Sequence, residues 1–74
     1  MTRQEAIREF YYWQFDNTGS FYNLLCTLFQ KADSVNTVRL AVAFPEMADA
    51  YFQWYSSPYQ IEFFKEHGVW PEGK

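Results

Sequence analysis

The chain has 74 residues, of which 49% are apolar, 23% aromatic and 20% charged, and its formal net charge is −3. This length allows one domain, and the apolar fraction excludes a disordered chain. The negative charge argues against a general nucleic-acid binder, which needs Lys and Arg to neutralise phosphates, and no apolar run approaches the ~18 residues of a membrane span.

The first predicted helix has both a start signal and a stop signal. Thr2 followed by Glu5 fits the capping box, in which each side chain bonds the other residue's backbone N–H. The helix is therefore predicted to run from about Arg3 to Asp16. The sequence Asn-Thr-Gly at 17–19 ends it, because Gly19 adopts a left-handed conformation at low cost.

The second predicted helix is amphipathic and begins after Ser20, a good N-cap residue. Its apolar side chains recur at helical spacing and form one stripe, namely Phe21, Leu24, Leu25, Leu28, Phe29 and Ala32. The opposite, polar face carries Asn23, Thr27 and Gln30. This pattern predicts a helix that packs its apolar stripe against the core and turns its polar face to water.

Two further helices are marked by a cap and a proline. Asp33 and Ser34 form a turn and the cap of a third, short helix, predicted from Val35 to about Ala43. Pro45 opens a fourth helix, since proline suits the first turn of a helix and disfavours helix in the residue before it.

The fifth helix is predicted to be capped by Ser57, to begin at Pro58 and to end at His67-Gly68. The tail at 69–74 is expected to be irregular, with Val69 or Trp70 folded back onto the helices. No segment shows the alternation of a β-strand. We therefore predict an all-α protein, a compact bundle of four to five short helices. It is one domain, with residues 1–70 as the ordered core and 71–74 as a flexible tail.

Several predicted helices carry apolar residues on more than one face. The third helix sets three valines on one face and two larger apolar residues nearly opposite: Val35, Val38 and Val42 against Leu40 and Phe44. A short helix buried on one side needs only one stripe. Two alternatives follow. The bundle wraps a central helix, for which the third is the candidate, or part of the apolar surface is a docking surface for a partner.

Aromatic residues at the surface are the candidate anchors of such an interface, because Tyr and Trp are enriched where proteins bind one another. The candidate partner-binding aromatic residues, all expected to be exposed, are Tyr12, Tyr22, Phe52, Tyr55 and Tyr59. Glu46 and Asp49 are the candidate partner-binding acidic residues at the rim of this interface, and their negative charge also suits the N-terminal end of the fourth helix.

The sequence offers little catalytic chemistry. His67 is the single histidine, and its place before Gly68 indicates a helix cap. Cys26 is the single cysteine and is interpreted as a small apolar residue on a helix flank; one free thiol fits a reducing cytoplasm. No metal-binding, phosphate-binding or nucleophile motif occurs in the sequence. We expect no enzyme activity, no cofactor and no metal.

Half of the chain resembles a pattern found in short bacteriophage and prophage proteins of unassigned function. The pattern is roughly a Gly-Ser-Phe start, a helix ending in Lys-Ala-Asp, an Asn, then Arg-Leu-Ala, then Phe-Pro-Glu and an aromatic helix. The matching residues are Gly19, Ser20, Phe21, Lys31, Ala32, Asp33, Asn36, Arg39, Leu40, Ala41, Phe44, Pro45 and Glu46. These residues are expected to build the fold, so that specificity lies outside them.

The resemblance implies a phage-type accessory protein in the cytoplasm of a bacterial host. Small acidic proteins of this kind often act by binding a host protein, and inhibitors of host defence nucleases, such as anti-CRISPR proteins, are a prominent group. The first hypothesis is therefore a non-enzymatic protein-binding module. The second is a homo-oligomer acting as a structural or assembly factor, and the least favoured is a nucleic-acid or nucleotide binder. No membrane partner is expected.

Overall fold

A computed structural model describes residues 1–16 and 19–71 of the chain. In these ranges the protein forms five α-helices, which are α1 (Arg3–Phe15), α2 (Phe21–Lys31), α3 (Ser34–Ala43), α4 (Pro45–Ser56) and α5 (Gln60–Glu66). No strand occurs among the described residues, and the predicted all-α bundle is confirmed. Asn17, Thr18 and most of the predicted flexible tail, residues 72–74, lie outside the described residues. None of the five helices is both long and apolar enough to cross a bilayer.

The first three helices start at the caps that the sequence predicts. The Thr2 backbone N–H donates to Glu5 Oε1 at 2.8 Å, and the Glu5 N–H donates to Thr2 Oγ1 at 3.1 Å. The hydrogen bonds from Thr2 lower the pKa of Glu5. Ser20 and Asp33 cap α2 and α3, and each accepts a hydrogen bond from the backbone N–H three residues later. These bonds satisfy helix donors that have no partner within the helix.

The predicted start of the fifth helix is wrong by two residues, whereas that of the fourth is confirmed. Pro45 is the first residue of α4. In α5, Tyr59 takes the N-cap position and Gln60 begins the helix. Ser57 is instead the C-cap of α4, and its hydroxyl donates to the Tyr59 carbonyl at 3.3 Å. Its side chain is thus used inside the connecting turn and does not cap α5.

The chain reverses after α5 through a Schellman motif. Gly68 has a left-handed backbone conformation with φ of +72°. The Gly68 N–H donates to the Lys65 carbonyl at 3.1 Å, and the Val69 N–H donates to the Phe64 carbonyl at 3.0 Å. Val69 is buried and Trp70 half-buried, so the expected return of the tail onto the helices is confirmed.

We expect Gly68→Ala to lower the free energy of unfolding by about 1–2 kcal/mol, because an alanine side chain disfavours a positive φ. Crowding adds nothing, since a Cβ at this position would meet only the Gln4 side chain, at an ordinary 3.6 Å. Gly68→Asn is the matched control, because asparagine tolerates the left-handed conformation. Urea unfolding measures both variants. Equal losses for Ala and Asn would contradict this interpretation of the turn.

The core is built around α1, which packs against α2, α4 and α5. Its buried residues are Ala6, Ile7, Phe10 and Tyr11. In contrast, α3 contains no buried residue and packs mainly against α4. The alternative in which the bundle wraps the third helix is therefore wrong. The extra apolar face of α3 points to water, since Val35, Val38 and Val42 are 58%, 63% and 80% exposed.

Cys26 lies in this core and is fully buried. Burial, together with the Glu9 carboxylate, raises the pKa of the Cys26 thiol from its ordinary 9.0 to about 12. We expect native Cys26 to react with an aromatic disulfide reagent at pH 8 at least about 1000-fold more slowly than the urea-unfolded chain, because only the thiolate attacks. Rapid native labelling would contradict the buried position.

The raised pKa of the Cys26 thiol also makes the free energy of unfolding fall as pH rises from 9 towards 12, because in this range the thiol ionises only in the unfolded chain.

Candidate protein-binding surface

Helix α2 turns two residues of its predicted polar face, Asn23 and Thr27, towards the core, while the third, Gln30, is exposed. Asn23 and Cys26 are both buried, and Thr27 is half-buried. The Thr27 hydroxyl oxygen accepts a hydrogen bond from the indole N–H of Trp13 at 3.0 Å, and the hydroxyl lies 3.4 Å from the Asn23 carbonyl. Relative to the arrangement that the apolar stripe predicts, the helix is rotated about its axis by roughly 100°, the angle of one residue.

Half of the apolar stripe therefore faces water. Phe21, Leu24 and Leu28 are 62%, 61% and 53% exposed, whereas Leu25 and Phe29 are buried. The prediction that the whole stripe packs inward is wrong. The hydrogen bond from Trp13 offers a physical reason, because a tryptophan N–H removed from water needs an acceptor and the polar side of α2 supplies it.

The exposed half-stripe forms one wall of a groove between α2 and α3, called the α2–α3 groove below. One half of it has a volume of about 410 Å³ and is lined only by apolar residues, namely Phe21, Leu24, Leu25, Leu28, Leu40 and Phe44. The other half has a volume of about 390 Å³ and is lined by Leu28, Lys31, Ala32, Asn36, Arg39 and Leu40. Because Leu28 and Leu40 line both halves, the two halves adjoin.

The groove exists because α2 and α3 barely touch each other and both pack on α4. Two residues, Ala32 and Asp33, join the helices at one end. Near the other end the rings of Phe21 and Phe44 approach with their centroids 6.0 Å apart. The apolar walls are thus held in place by the fold.

Two cations lie in the second half of the groove without a counter-ion. Among the described residues, neither Lys31 nor Arg39 forms an ion pair. Arg39 approaches the Asn36 side-chain oxygen at 3.5 Å, which is the limit of a hydrogen bond. Elsewhere on the described surface Arg3 pairs with a carboxylate at 2.6 Å and Lys65 with one at 3.8 Å, whereas Arg8, like the two groove cations, forms no ion pair. In this half of the groove, Lys31 and Arg39 thus place two positive charges without an ion pair to any described residue.

Two of the predicted partner-binding residues come together on α4. Phe52 and Tyr55 are 50% and 70% exposed. Both flank Tyr51, with ring centroids 5.7 Å and 5.8 Å from that residue. Burial raises the pKa of Tyr51, and the neighbouring Tyr55 adds to the shift. These three rings form a second candidate surface, on α4.

The other predicted aromatic residues do not join this cluster. Tyr12 is 37% exposed on α1, and Tyr59 is 72% exposed at the start of α5. Tyr22, which was expected to be exposed, is half-buried, because the rotation of α2 turns its position towards the core. Its ring contacts Phe21, with centroids 5.3 Å apart, and so lies beside the groove residues.

The two predicted acidic rim residues differ in their surroundings. Glu46 is exposed in the first turn of α4. Asp49 pairs with Arg3 at 2.6 Å and accepts a hydrogen bond from Gln53 at 3.0 Å. Asp49 thus links α1 to α4, which gives it a structural role whether or not a partner contacts it.

The groove residues were not predicted as a site. A signal for them exists in the sequence, because Phe21, Leu24 and Leu28 follow the i, i+3, i+7 spacing of a half-stripe that ends beside Lys31. Many residues that line the groove also belong to the resemblance pattern; these are Phe21, Lys31, Ala32, Asn36, Arg39, Leu40 and Phe44.

The described residues include no cluster of three or more His, Cys, Asp or Glu side chains that would hold a metal ion. The geometry of the groove suits binding by apolar contact and charge, and it presents no nucleophile beside a base. Comparisons of the chain with protein-family models, with curated proteins and with solved structures give no match.

Proposed function

We propose that the protein is a small non-enzymatic accessory protein that acts by binding another protein through the α2–α3 groove. The observation that carries this proposal is the outward half-stripe of α2, three large apolar residues that the fold leaves more than half exposed. Soluble proteins rarely leave a contiguous apolar surface without a use. Single exposed apolar residues need no explanation, but here the half-stripe and α3 form the two walls of one groove.

The resemblance to phage and prophage proteins suggests the biological form of this activity. We propose a phage-encoded, stoichiometric inhibitor of a host defence nuclease, similar in mode of action to anti-CRISPR proteins. Such an inhibitor needs no catalytic group, because it acts by covering a surface of its target. The net negative charge of the chain and the apolar groove supply the electrostatic and apolar contacts for binding the target.

A second candidate function is self-association as a structural or assembly factor. The valine face of α3 favours it, because Val35, Val38 and Val42 form an exposed apolar row with no partner helix. Light scattering at several protein concentrations separates the two functions. A strict monomer removes self-association.

A nucleic-acid function is less favoured, because two unpaired cations in the groove do not form the positive stripe that phosphates require.

The protein-binding function is tested by capture from the bacterial host with tagged wild-type protein and two variants of equal added charge. Leu24→Glu places a charge in the apolar half of the groove, whereas Gln30→Glu places one on α2 outside the groove. We expect one host protein to be retained at a fixed ratio by the wild type and by Gln30→Glu, and lost with Leu24→Glu. Retention of no protein, or equal retention by all three, would contradict the proposal.

A further inference from the structure

We infer that the α2–α3 groove binds an amphipathic helix of the partner protein, and that acidic residues follow one end of the apolar stripe on that helix. This inference rests on the proposed function and adds the chemistry of the partner. It is carried by two observations, the shape of the apolar half of the groove and the unpaired charge of the other half.

The length of the exposed half-stripe corresponds to about two turns of a partner helix. From Phe21 to Leu28 the exposed half-stripe spans eight residues of α2, which is seven residue steps and a length of about 10 Å. A partner helix lying along α2 presents apolar side chains over the same length at i, i+3 or i+4, and i+7. Leu40 and Phe44 of α3 form the opposite wall, so the partner helix contacts two helices at once. This is the way in which an apolar helix face is buried in a bundle.

The charge of the groove selects an acidic partner segment. Lys31 and Arg39 both line its second half and have no ion pair among the described residues. Apolar contacts beside them exclude water, which strengthens a pairing with carboxylates. A second copy of the chain would bring the same two cations on the same face. An acidic helix neutralises them, and we therefore favour it as the occupant.

The inference is tested with a display library of 16-residue helical peptides. Four positions at i, i+3, i+4 and i+7 are apolar and the others are random. The library is selected in parallel on wild-type protein, on the Lys31→Glu/Arg39→Glu double variant and on Leu24→Glu. Lys31 and Arg39 are exposed, so their replacement leaves the core intact; circular dichroism and urea unfolding verify this.

We expect the wild type to enrich peptides with Asp or Glu grouped at one end of the apolar stripe. The double variant is expected to enrich Lys or Arg at the same positions, and Leu24→Glu to enrich no common peptide. A synthetic acidic peptide from the wild-type selection should bind the double variant at least about 10-fold more weakly, with an affinity for the wild type that falls as salt is added. Selection of the same peptides by the wild type and the double variant would overturn the inference, as would failure to enrich any peptide.

Light scattering provides the test against a second copy. A concentration-dependent dimer that Leu24→Glu dissociates would show that the groove is filled by this chain itself, and would overturn the acidic helix as occupant.

The failure of this inference is distinguishable from that of the proposed function. A host protein that is captured through the groove, but that binds by a segment without acidic residues, contradicts only the inference. Acidic peptides that are selected without any captured host protein contradict only the function.

Discussion

Phe10→Ala is expected to lower the free energy of unfolding by about 3–5 kcal/mol, the loss typical of a buried phenylalanine. Phe10 is fully buried on α1, and its ring lies 6.0–6.1 Å from those of Trp13, Tyr51 and Trp54. Removal of the ring leaves a cavity between α1 and α4. A chain of this length has about 4–11 kcal/mol of stability in total, so this loss is a large fraction of it and, at the lower end of that range, leaves the variant largely unfolded at 25 °C. Circular dichroism during urea titration measures the loss.

Phe52→Ala is the matched control for this prediction, because it removes the same side chain from α4. Phe52 is 50% exposed, and we expect a loss below about 1 kcal/mol. The difference between the two losses in free energy of unfolding measures how much more stability the buried phenylalanine contributes than the exposed one. Similar losses for both would contradict the placement of α1 at the centre of the bundle.

Leu28→Ala is expected to weaken partner binding by about 2 kcal/mol or more, roughly 30-fold, while it changes the free energy of unfolding by less than about 1 kcal/mol. Leu28 is 53% exposed, so the fold depends little on it. It lines both halves of the α2–α3 groove and therefore lies at the centre of the proposed interface, where residues that dominate binding energy are found. Isothermal titration with the captured host protein, or with a selected peptide, measures the affinity.

Val42→Ala provides the control for the binding prediction. Val42 is the most exposed of the large apolar residues, at 80%, and it does not line the groove. Its removal should leave the affinity within about 2-fold of the wild type. If Val42→Ala and Leu28→Ala weakened binding equally, the partner would contact the valine face of α3, and the groove would not be the main interface.

The boundaries of the helices could be predicted from the sequence because they depend on local chemistry. Thr2 with Glu5, Ser20, Asp33 and Pro45 each act within four residues of their own position. Such signals are present whatever the rest of the chain does. The wrong start of α5 also has a local cause, because the Ser57 hydroxyl donates to the Tyr59 carbonyl inside the turn and does not cap α5.

The orientation of α2 could not be predicted from its own pattern, because it depends on a residue of another helix. The apolar stripe is regular, and burial of all of it would have left Thr27 on the outside. The Trp13 N–H of α1 instead donates to Thr27, which places this residue of the polar face of α2 on the inner side of the helix. A helical wheel shows the side chains of one helix only, so it cannot indicate a hydrogen bond that comes from another helix.

The candidate site was missed for the same reason. Reasoning from aromatic residues indicated Phe52 and Tyr55, which the structure does bring together on α4. The groove depends on the arrangement of three helices, since α4 holds α2 and α3 side by side with little contact between them. Its cations, Lys31 and Arg39, are eight positions apart in the chain and become one site only through that arrangement.

Thiol labelling of Leu28→Cys in a Cys26→Ala background most directly tests the outward orientation of the α2 half-stripe. Position 28 is 53% exposed, and we expect the introduced thiol to react within about 10-fold of its rate in the urea-unfolded chain. Protection comparable to that of native Cys26 would instead show that the half-stripe is buried. In that case the α2–α3 groove, and the binding function proposed for it, would not exist.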